Sequence, residues 1–180
     1  MDPLYIRSMD RLYLACIWLA GAAIFFMSLI IPFGVFTRYV LGTGSQWPEP
    51  IAILLMMVFT FIGAAAAYRA GAHIAVSMLT DRLSPALNKV AGLVVDALMA
   101  VACLFVVWFG AKLSLETMGQ PIAELPWLPV GVTYAALPLG SLITLLFVIE
   151  RRCYGAQDQR PLVRYEVQDL APPAPAEGRA

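Results

Sequence analysis

The chain has 180 residues, of which 61% are hydrophobic and only 13% are charged, against about 25% charged residues in an ordinary soluble domain. Twelve basic residues balance twelve acidic ones, so the chain has no net charge that would attract nucleic acid. This composition excludes a soluble domain and a mostly disordered chain, and it indicates a membrane protein. The three cysteines are odd in number and far apart, which argues against a disulfide scaffold.

Four long apolar segments follow one another along the chain. Residues 12–37, 50–68 and 125–149 contain no charged residue, and the third segment in chain order, residues 90–111, contains only Asp96. Each is close to or above the 20 or so helical residues that cross a hydrocarbon core, and a lipid-exposed segment can satisfy its backbone hydrogen bonds only as a helix. The sequence therefore predicts an all-α membrane domain over residues 12–152, with transmembrane helices over about 12–37, 48–68, 88–111 and 125–149.

The basic residues between these segments predict the orientation of the chain. Ten of the twelve lie in the N-terminal segment 1–11, in the loop after the second span, near the start of the third span, or beyond the fourth. The other side of the membrane has only Arg38 and Lys112. The positive-inside rule then places both termini and the middle loop in the cytoplasm.

The middle loop and the tail have different characters. Ile74, Met78 and Leu79 recur at helical spacing, which predicts a short interfacial helix between the second and third spans. Ser84 followed by Pro85 is typical of the start of a helix. Residues 153–180 are polar and rich in proline towards the end, so we expect a disordered cytoplasmic tail.

The sequence contains no constellation that predicts catalysis. It has a single histidine, His73, and lacks the C-x-x-C, P-loop, G-x-G-x-x-G and G-x-S-x-G motifs. One histidine cannot supply a pair of haem ligands or a histidine-rich metal site. We therefore expect no enzyme activity, no cofactor and no metal.

The polar and small residues near the span ends instead suggest contacts with a partner subunit or with lipid. Arg69 and His73 lie one helical turn apart, where lipid headgroups or a partner could contact them. A row of small residues spaced by four would let another helix approach closely, and the buried acid Asp96 must face protein or trapped water. Glu49 beside Trp47 suits a helix start at the membrane interface. The candidate contact residues are Arg38, Trp47, Glu49, Gly63, Ala67, Arg69, Gly71, His73 and Asp96.

Several short segments, in this order and spacing, resemble a known family. They are Arg38-Tyr-Val-Leu-Gly42, Trp47-Pro-Glu49, Phe61-Ile-Gly-Ala-Ala65, Arg69-Ala-Gly-Ala-His-Ile-Ala-Val76, Leu125-Pro-Trp-Leu-Pro129 and Tyr134-Ala-Ala-Leu-Pro-Leu-Gly140. From about Asp10 to Arg152 the chain resembles the small membrane (Q) subunit of tripartite ATP-independent periplasmic (TRAP) transporters. It departs from the family pattern at Pro50 and Ser77, where the family often has acids.

The resemblance implies a transporter of three components. A periplasmic protein would capture an organic anion, typically a carboxylate, and a large membrane subunit would carry the substrate and the coupling ion, usually sodium. The small subunit would pair with the large one as static scaffold in the bacterial inner membrane, and membrane lipids would surround both. Two alternatives remain open from the residues themselves, a membrane anchor of a redox enzyme complex and a stand-alone channel or carrier.

Overall fold

The computed structural model of the protein describes residues 3–44, 46–71 and 85–155. The expected interfacial helix, His73 and the tail beyond residue 155 lie outside the described residues. The long helices are α1 (Pro3–Tyr39), α2 (Pro48–Arg69), α3 (Pro85–Glu116) and α5 (Ala136–Tyr154), and α3 is followed by β1 (Pro121–Ile122), β2 (Leu125–Pro129) and the short α4 (Val130–Tyr134).

The prediction of four apolar helices that can cross a membrane is confirmed. These segments are Tyr5–Tyr39, Pro48–Arg69, Val90–Glu116 and Val130–Tyr154. α1 has 37 residues and is therefore about 55 Å long at 1.5 Å per residue. Because a hydrocarbon core is only about 30 Å thick, α1 is strongly tilted or extends out of the core.

A small hairpin precedes the fourth membrane helix. Residues 125–129, which we expected to open that helix, form β2, and β2 pairs antiparallel with β1. Pro126 and Pro129 explain the difference, because each lacks a backbone N–H and each disfavours helical backbone in the residue before it. The helical segment therefore begins at Val130. Pro138 lies in the first turn of α5, where a missing N–H costs little.

The four long helices form a row in the order α1, α2, α5, α3. α2 packs between α1 and α5, and α5 packs between α2 and α3. The main core cluster lies where α1, α2 and α5 meet; its buried members are Tyr13, Cys16, Ile62, Ala65, Ala66, Tyr68, Phe147 and Val148. The large apolar side chains on the outer faces of α1 and α3 are exposed, as expected for helices that contact lipid.

Glycines mark the places where these helices approach most closely. A Cβ atom on Gly140 of α5 would lie 2.6 Å from Cβ of Phe61 and 2.7 Å from its backbone oxygen on α2. A Cβ atom on Gly110 of α3 would lie 3.2 Å from Cδ of Pro138. At Gly131 of α4 it would collide with the backbone of α3. Small residues thus set the spacing between neighbouring helices, as is common in membranes.

Candidate functional site

Arg69, the last residue of α2, lies between two carboxylates from other helices. Its Nε donates to Oε2 of Glu150 at 2.8 Å, and its Nη2 donates to Oε1 of the same carboxylate at 2.8 Å. Nη2 also donates to Oδ1 of Asp10 at 2.7 Å. The planar fork of arginine matches a carboxylate in this two-bond geometry. One guanidinium therefore connects α2 to α5 and to α1.

This ion-pair cluster is buried. The Arg69 side chain is 2% exposed and that of Glu150 is 1% exposed. The Arg69 guanidinium carbon lies 5.3 Å from the ring centroids of both Tyr13 and Phe147, within the range of cation–π attraction. In such a low-dielectric setting these contacts are strong, and the loss of one partner leaves an uncompensated charge.

A second set of contacts joins α3 to α2 and α5, at the same end of the long helices as the Arg69 cluster. The Tyr68 hydroxyl donates to Oδ1 of Asp96 at 3.2 Å, and Nε of Arg151 lies 3.9 Å from that oxygen. Tyr68 and Arg69 are neighbours on α2, and Glu150 and Arg151 are neighbours on α5, so the two sets are adjacent. We call them together the polar layer; its members are Asp10, Tyr68, Arg69, Asp96, Glu150 and Arg151.

The polar layer can hold helices together, because each of its carboxylates contacts an arginine of the same chain. Breaking a buried ion pair by removing one partner typically costs about 3–5 kcal/mol. Within residues 3–44, 46–71 and 85–155, no group of three or more His, Cys, Asp or Glu residues is arranged to hold a metal ion. The chemistry available at the layer is interhelical pairing.

Arg38 and Glu49 lie beside the hairpin, at the end of the long helices opposite to the polar layer. Their side chains form an ion pair of 3.7 Å and are 48% and 72% exposed. Trp47 packs against Phe33, with ring centroids 5.9 Å apart. Two cavities of about 380 and 500 Å³ open at this end, and Arg38 and Glu49 line both of them. We call this end the hairpin end.

The remaining candidates fall in different places. Arg69, expected at a headgroup or a partner, forms hydrogen bonds to Glu150 and Asp10 of the same chain, and Asp96 accepts one from Tyr68. Gly63 faces α1, because a Cβ atom there would lie 3.7 Å from Cβ of Ala20. Ala67 is exposed, and Gly71 ends the α2 segment with a positive φ of 69° that favours glycine.

Sequence reasoning missed Asp10 and Glu150 as partners of Arg69. A signal for them existed, since Asp10 precedes the first apolar segment, Glu150 follows the fourth, and Arg69 follows the second. The expected antiparallel arrangement of the spans puts these three positions at one membrane face. Opposite charges there are candidates for pairing, but the pattern does not say which helices are neighbours.

Comparison with known proteins gives the family. The family model described as "Tripartite ATP-independent periplasmic transporters, DctQ component" matches residues 27–157, more than half of the chain. The chain belongs to the DctQ family. It is therefore a TRAP transporter component, a multi-pass protein of the bacterial inner membrane, and not an enzyme, as the motif search led us to expect.

Two curated relatives of this DctQ protein have names that agree with the family. A TRAP transporter small permease of Haemophilus influenzae is 26% identical over 128 residues, which cover 69% of this chain and 77% of that protein. The ectoine TRAP transporter small permease protein of Halomonas elongata is 27% identical over 112 residues, covering 61% and 58%. The earlier resemblance to the small membrane subunit is thus confirmed.

Proposed function

We propose that this DctQ protein pairs with the large membrane subunit of its TRAP transporter and acts as a static scaffold. The transporter would use an ion gradient to take up an organic anion, a carboxylate by our expectation, that a periplasmic binding protein delivers. In this proposal the small subunit moves no substrate itself. Its task is to present a rigid surface against which the large subunit works.

The observation that supports this proposal is the polar layer. Arg69 connects α1, α2 and α5 through bonds of 2.7–2.8 Å, and Asp96 connects α3 through Tyr68 and Arg151. Buried and mutually paired charges resist sliding or separation of helices, because every displaced pair would leave a charge without its partner. A layer that joins all four membrane helices therefore favours a rigid body over a moving one.

The proposed orientation has the polar layer on the cytoplasmic side and the hairpin on the periplasmic side. It rests on the ten basic residues predicted at the first side against Arg38 and Lys112 at the second. The periplasmic binding protein would then approach from the hairpin end.

The family assignment also favours the transporter subunit over the redox-enzyme anchor that the residues alone left open.

The experiment is to co-express the chain with its large subunit, tag only the small one, and extract the membranes in mild detergent. We expect the two subunits to elute together in size-exclusion chromatography. We also expect uptake in proteoliposomes only when both subunits, the binding protein and an ion gradient are present.

Two outcomes would overturn the proposal. Separate elution in several mild detergents would contradict stable pairing. Uptake by liposomes that contain only the small subunit would contradict the scaffold role and favour a stand-alone carrier.

A further inference from the structure

The two cavities at the hairpin end share part of their walls. One, of about 500 Å³, lies between α1, α2, the hairpin and α4, and we call it the headgroup cavity. The other, of about 380 Å³, lies between α1 and α2, and we call it the furrow. Arg38, Glu49 and Ile53 line both, so a single ligand can occupy the two together.

The headgroup cavity is lined by polar groups from separate elements. Glu49 comes from α2, Glu124 from the hairpin turn, and Thr133 and Tyr134 from α4. Thr133 is 7% exposed, and its hydroxyl oxygen has no hydrogen-bond partner among the described residues. A buried polar atom without a partner within the protein is rare, and a bound ligand or water is the usual explanation for it.

The furrow has a different character and a defined length. Apart from Arg38, Tyr39 and Glu49 at its mouth, it is lined by apolar side chains and Gly34. From Arg38 down to Met27 there are eleven helical steps, or about 16 Å at 1.5 Å per residue. That is about half of the 30 Å hydrocarbon core, so the furrow spans the acyl region of one leaflet.

The charges at the mouth select among lipid headgroups. Two carboxylates, Glu49 and Glu124, face one guanidinium, Arg38, so a headgroup with net negative charge is disfavoured. A primary ammonium group has three N–H donors, which suit two carboxylates and the Thr133 hydroxyl. A quaternary ammonium group, as in phosphatidylcholine, has no N–H donor. The Arg38 guanidinium suits a phosphate group. Its ion pair with Glu49 is long, at 3.7 Å, so a lipid phosphate can replace Glu49 as its partner.

We propose that the headgroup cavity and the furrow together bind one phospholipid with a zwitterionic, primary-ammonium headgroup, such as phosphatidylethanolamine. The ammonium lies between Glu49, Glu124 and Thr133, the phosphate contacts Arg38, and one acyl chain fills the furrow. Such a lipid would fasten α1, α2 and the hairpin region to one another. This inference depends on membrane insertion and not on the pairing with the large subunit.

The test uses the full chain in complex with its large subunit, stripped of lipid in detergent. Phosphatidylethanolamine, phosphatidylcholine and phosphatidylglycerol with identical acyl chains are added, and retained lipid is counted by native mass spectrometry. We expect one phosphatidylethanolamine to be retained, about tenfold more tightly than either of the others, since hydrogen bonds to charged groups are the stronger kind.

Variants of the lining assign the retained lipid to this site. We expect Glu124→Gln to weaken retention about tenfold and Thr133→Val about fivefold, with Ala52→Phe blocking the furrow. The control is Glu116→Gln, because Glu116 is 63% exposed and pairs only with Lys112 among the ion pairs described. Circular dichroism and elution volume verify that each variant is folded, and a misfolded variant is replaced by Glu124→Ala or Thr133→Ala.

Several results would overturn the proposal. Equal retention of all three lipids, or preference for phosphatidylglycerol, would contradict the headgroup selection. Unchanged retention in both Glu124→Gln and Thr133→Val would place the lipid elsewhere. If soluble phosphoethanolamine displaced the lipid as well as the intact lipid does, the furrow would have no part in binding. A different result, in which the large subunit dissociates while the small subunit keeps its lipid, would contradict the proposed scaffold pairing and leave the lipid site supported.

Discussion

Arg69 shows how one side chain can hold three helices. Two of its nitrogens make three hydrogen bonds to Glu150 and Asp10, and two aromatic rings cover it. A lysine would keep the charge but offer a single ammonium, which cannot make the paired bonds to Glu150 and also reach Asp10 in the same plane. The identity of the residue, and not only its charge, is what the site requires.

Arg69→Lys should therefore lower the thermal stability of the purified protein, and Arg69→Ala should cost about 3–5 kcal/mol because it leaves buried carboxylates unpaired. The measurement is the midpoint of thermal unfolding in detergent, monitored by the decrease of the monodisperse elution peak after heating. Arg11→Lys is the matched control on the exposed surface of α1. Equal midpoints for the Arg69→Lys and Arg11→Lys variants would show that the fork geometry contributes nothing.

Asp96 has a milder role in the same layer. We expect Asp96→Asn to leave ion-dependent uptake by the assembled transporter nearly unchanged, because the amide can still accept the hydrogen bond from Tyr68. Uptake is compared at equal protein amounts, with Tyr68→Phe as a second variant that removes the same bond from the other side. A variant that assembles normally but loses ion-dependent uptake would mean that this subunit takes part in coupling.

The sequence made Asp96 visible but not the Arg69 cluster, for a physical reason. Asp96 interrupts an apolar segment, and a lone charge in such a segment must find a polar contact. Asp10, Arg69 and Glu150 lie at segment ends, where charges are ordinary and are usually solvated or near headgroups. Only the packing of α1 and α5 on either side of α2 distinguishes the buried pairs from exposed ones.

At the scale of the elements, glycines control how closely helices pack. Gly140 on α5 meets the backbone of Phe61 on α2, which cannot move aside as a flexible side chain would. Gly63 on α2 leaves room for a methyl group against Ala20, and a Cβ atom on Gly21 of α1 would meet nothing within 4 Å in the described part of the chain. The same residue type thus has three different tolerances in one membrane domain.

Gly140→Ala should destabilise the protein, because overpacking of about 1–3 kcal/mol exceeds the gain of about 1 kcal/mol in helix propensity. Gly63→Ala should be nearly neutral, and Gly21→Ala should be neutral or slightly stabilising. Unfolding midpoints of the three variants under identical detergent conditions provide the comparison. Should Gly140→Ala unfold at the same temperature as Gly21→Ala, the close crossing of α2 and α5 would be incorrect.

The hairpin shows where element prediction from hydrophobicity ends. The segment 125–149 is free of charge, and a long uncharged segment was sufficient to predict a membrane helix. Its first five residues are a strand because Pro126 and Pro129 prevent helical hydrogen bonding there. Proline at both positions was visible in the sequence, whereas the pairing of β2 with the two residues of β1 was not.

For the molecule as a whole, the number of membrane helices followed from apolar segment length, but their arrangement did not. These helices carry hydrophobic side chains on every face, because lipid is as apolar as a protein core. Periodicity therefore carries little information about which face is packed. The order α1, α2, α5, α3 depends on specific close contacts at Gly140 and Gly110 and on the polar layer.

The proposed orientation gives a prediction for the whole chain. A reporter inserted in the turn at Ala123 should be active in the periplasm, and one fused after Gly155 should be active only in the cytoplasm. The second fusion follows Gly155 because α5 extends to Tyr154. Paired alkaline phosphatase and fluorescent-protein fusions read both sides. Reversed activities at the two positions would contradict the orientation with both termini in the cytoplasm.

The row of helices also has a consequence for biosynthesis. The ribosome makes α3 before α5, although α5 is the long helix against which α3 packs most extensively, and α2 reaches α3 through the Tyr68–Asp96 hydrogen bond. Asp10 and Arg69 can meet as soon as α2 enters the membrane, but Glu150 is synthesised 81 residues after Arg69. Insertion of the last helix thus completes the charge pairing and gives α3 its main packing partner in one step. A chain interrupted before Ala136 would lack both, so Arg69 would keep only Asp10 of its two described carboxylate partners and α3 would expose the face that α5 covers.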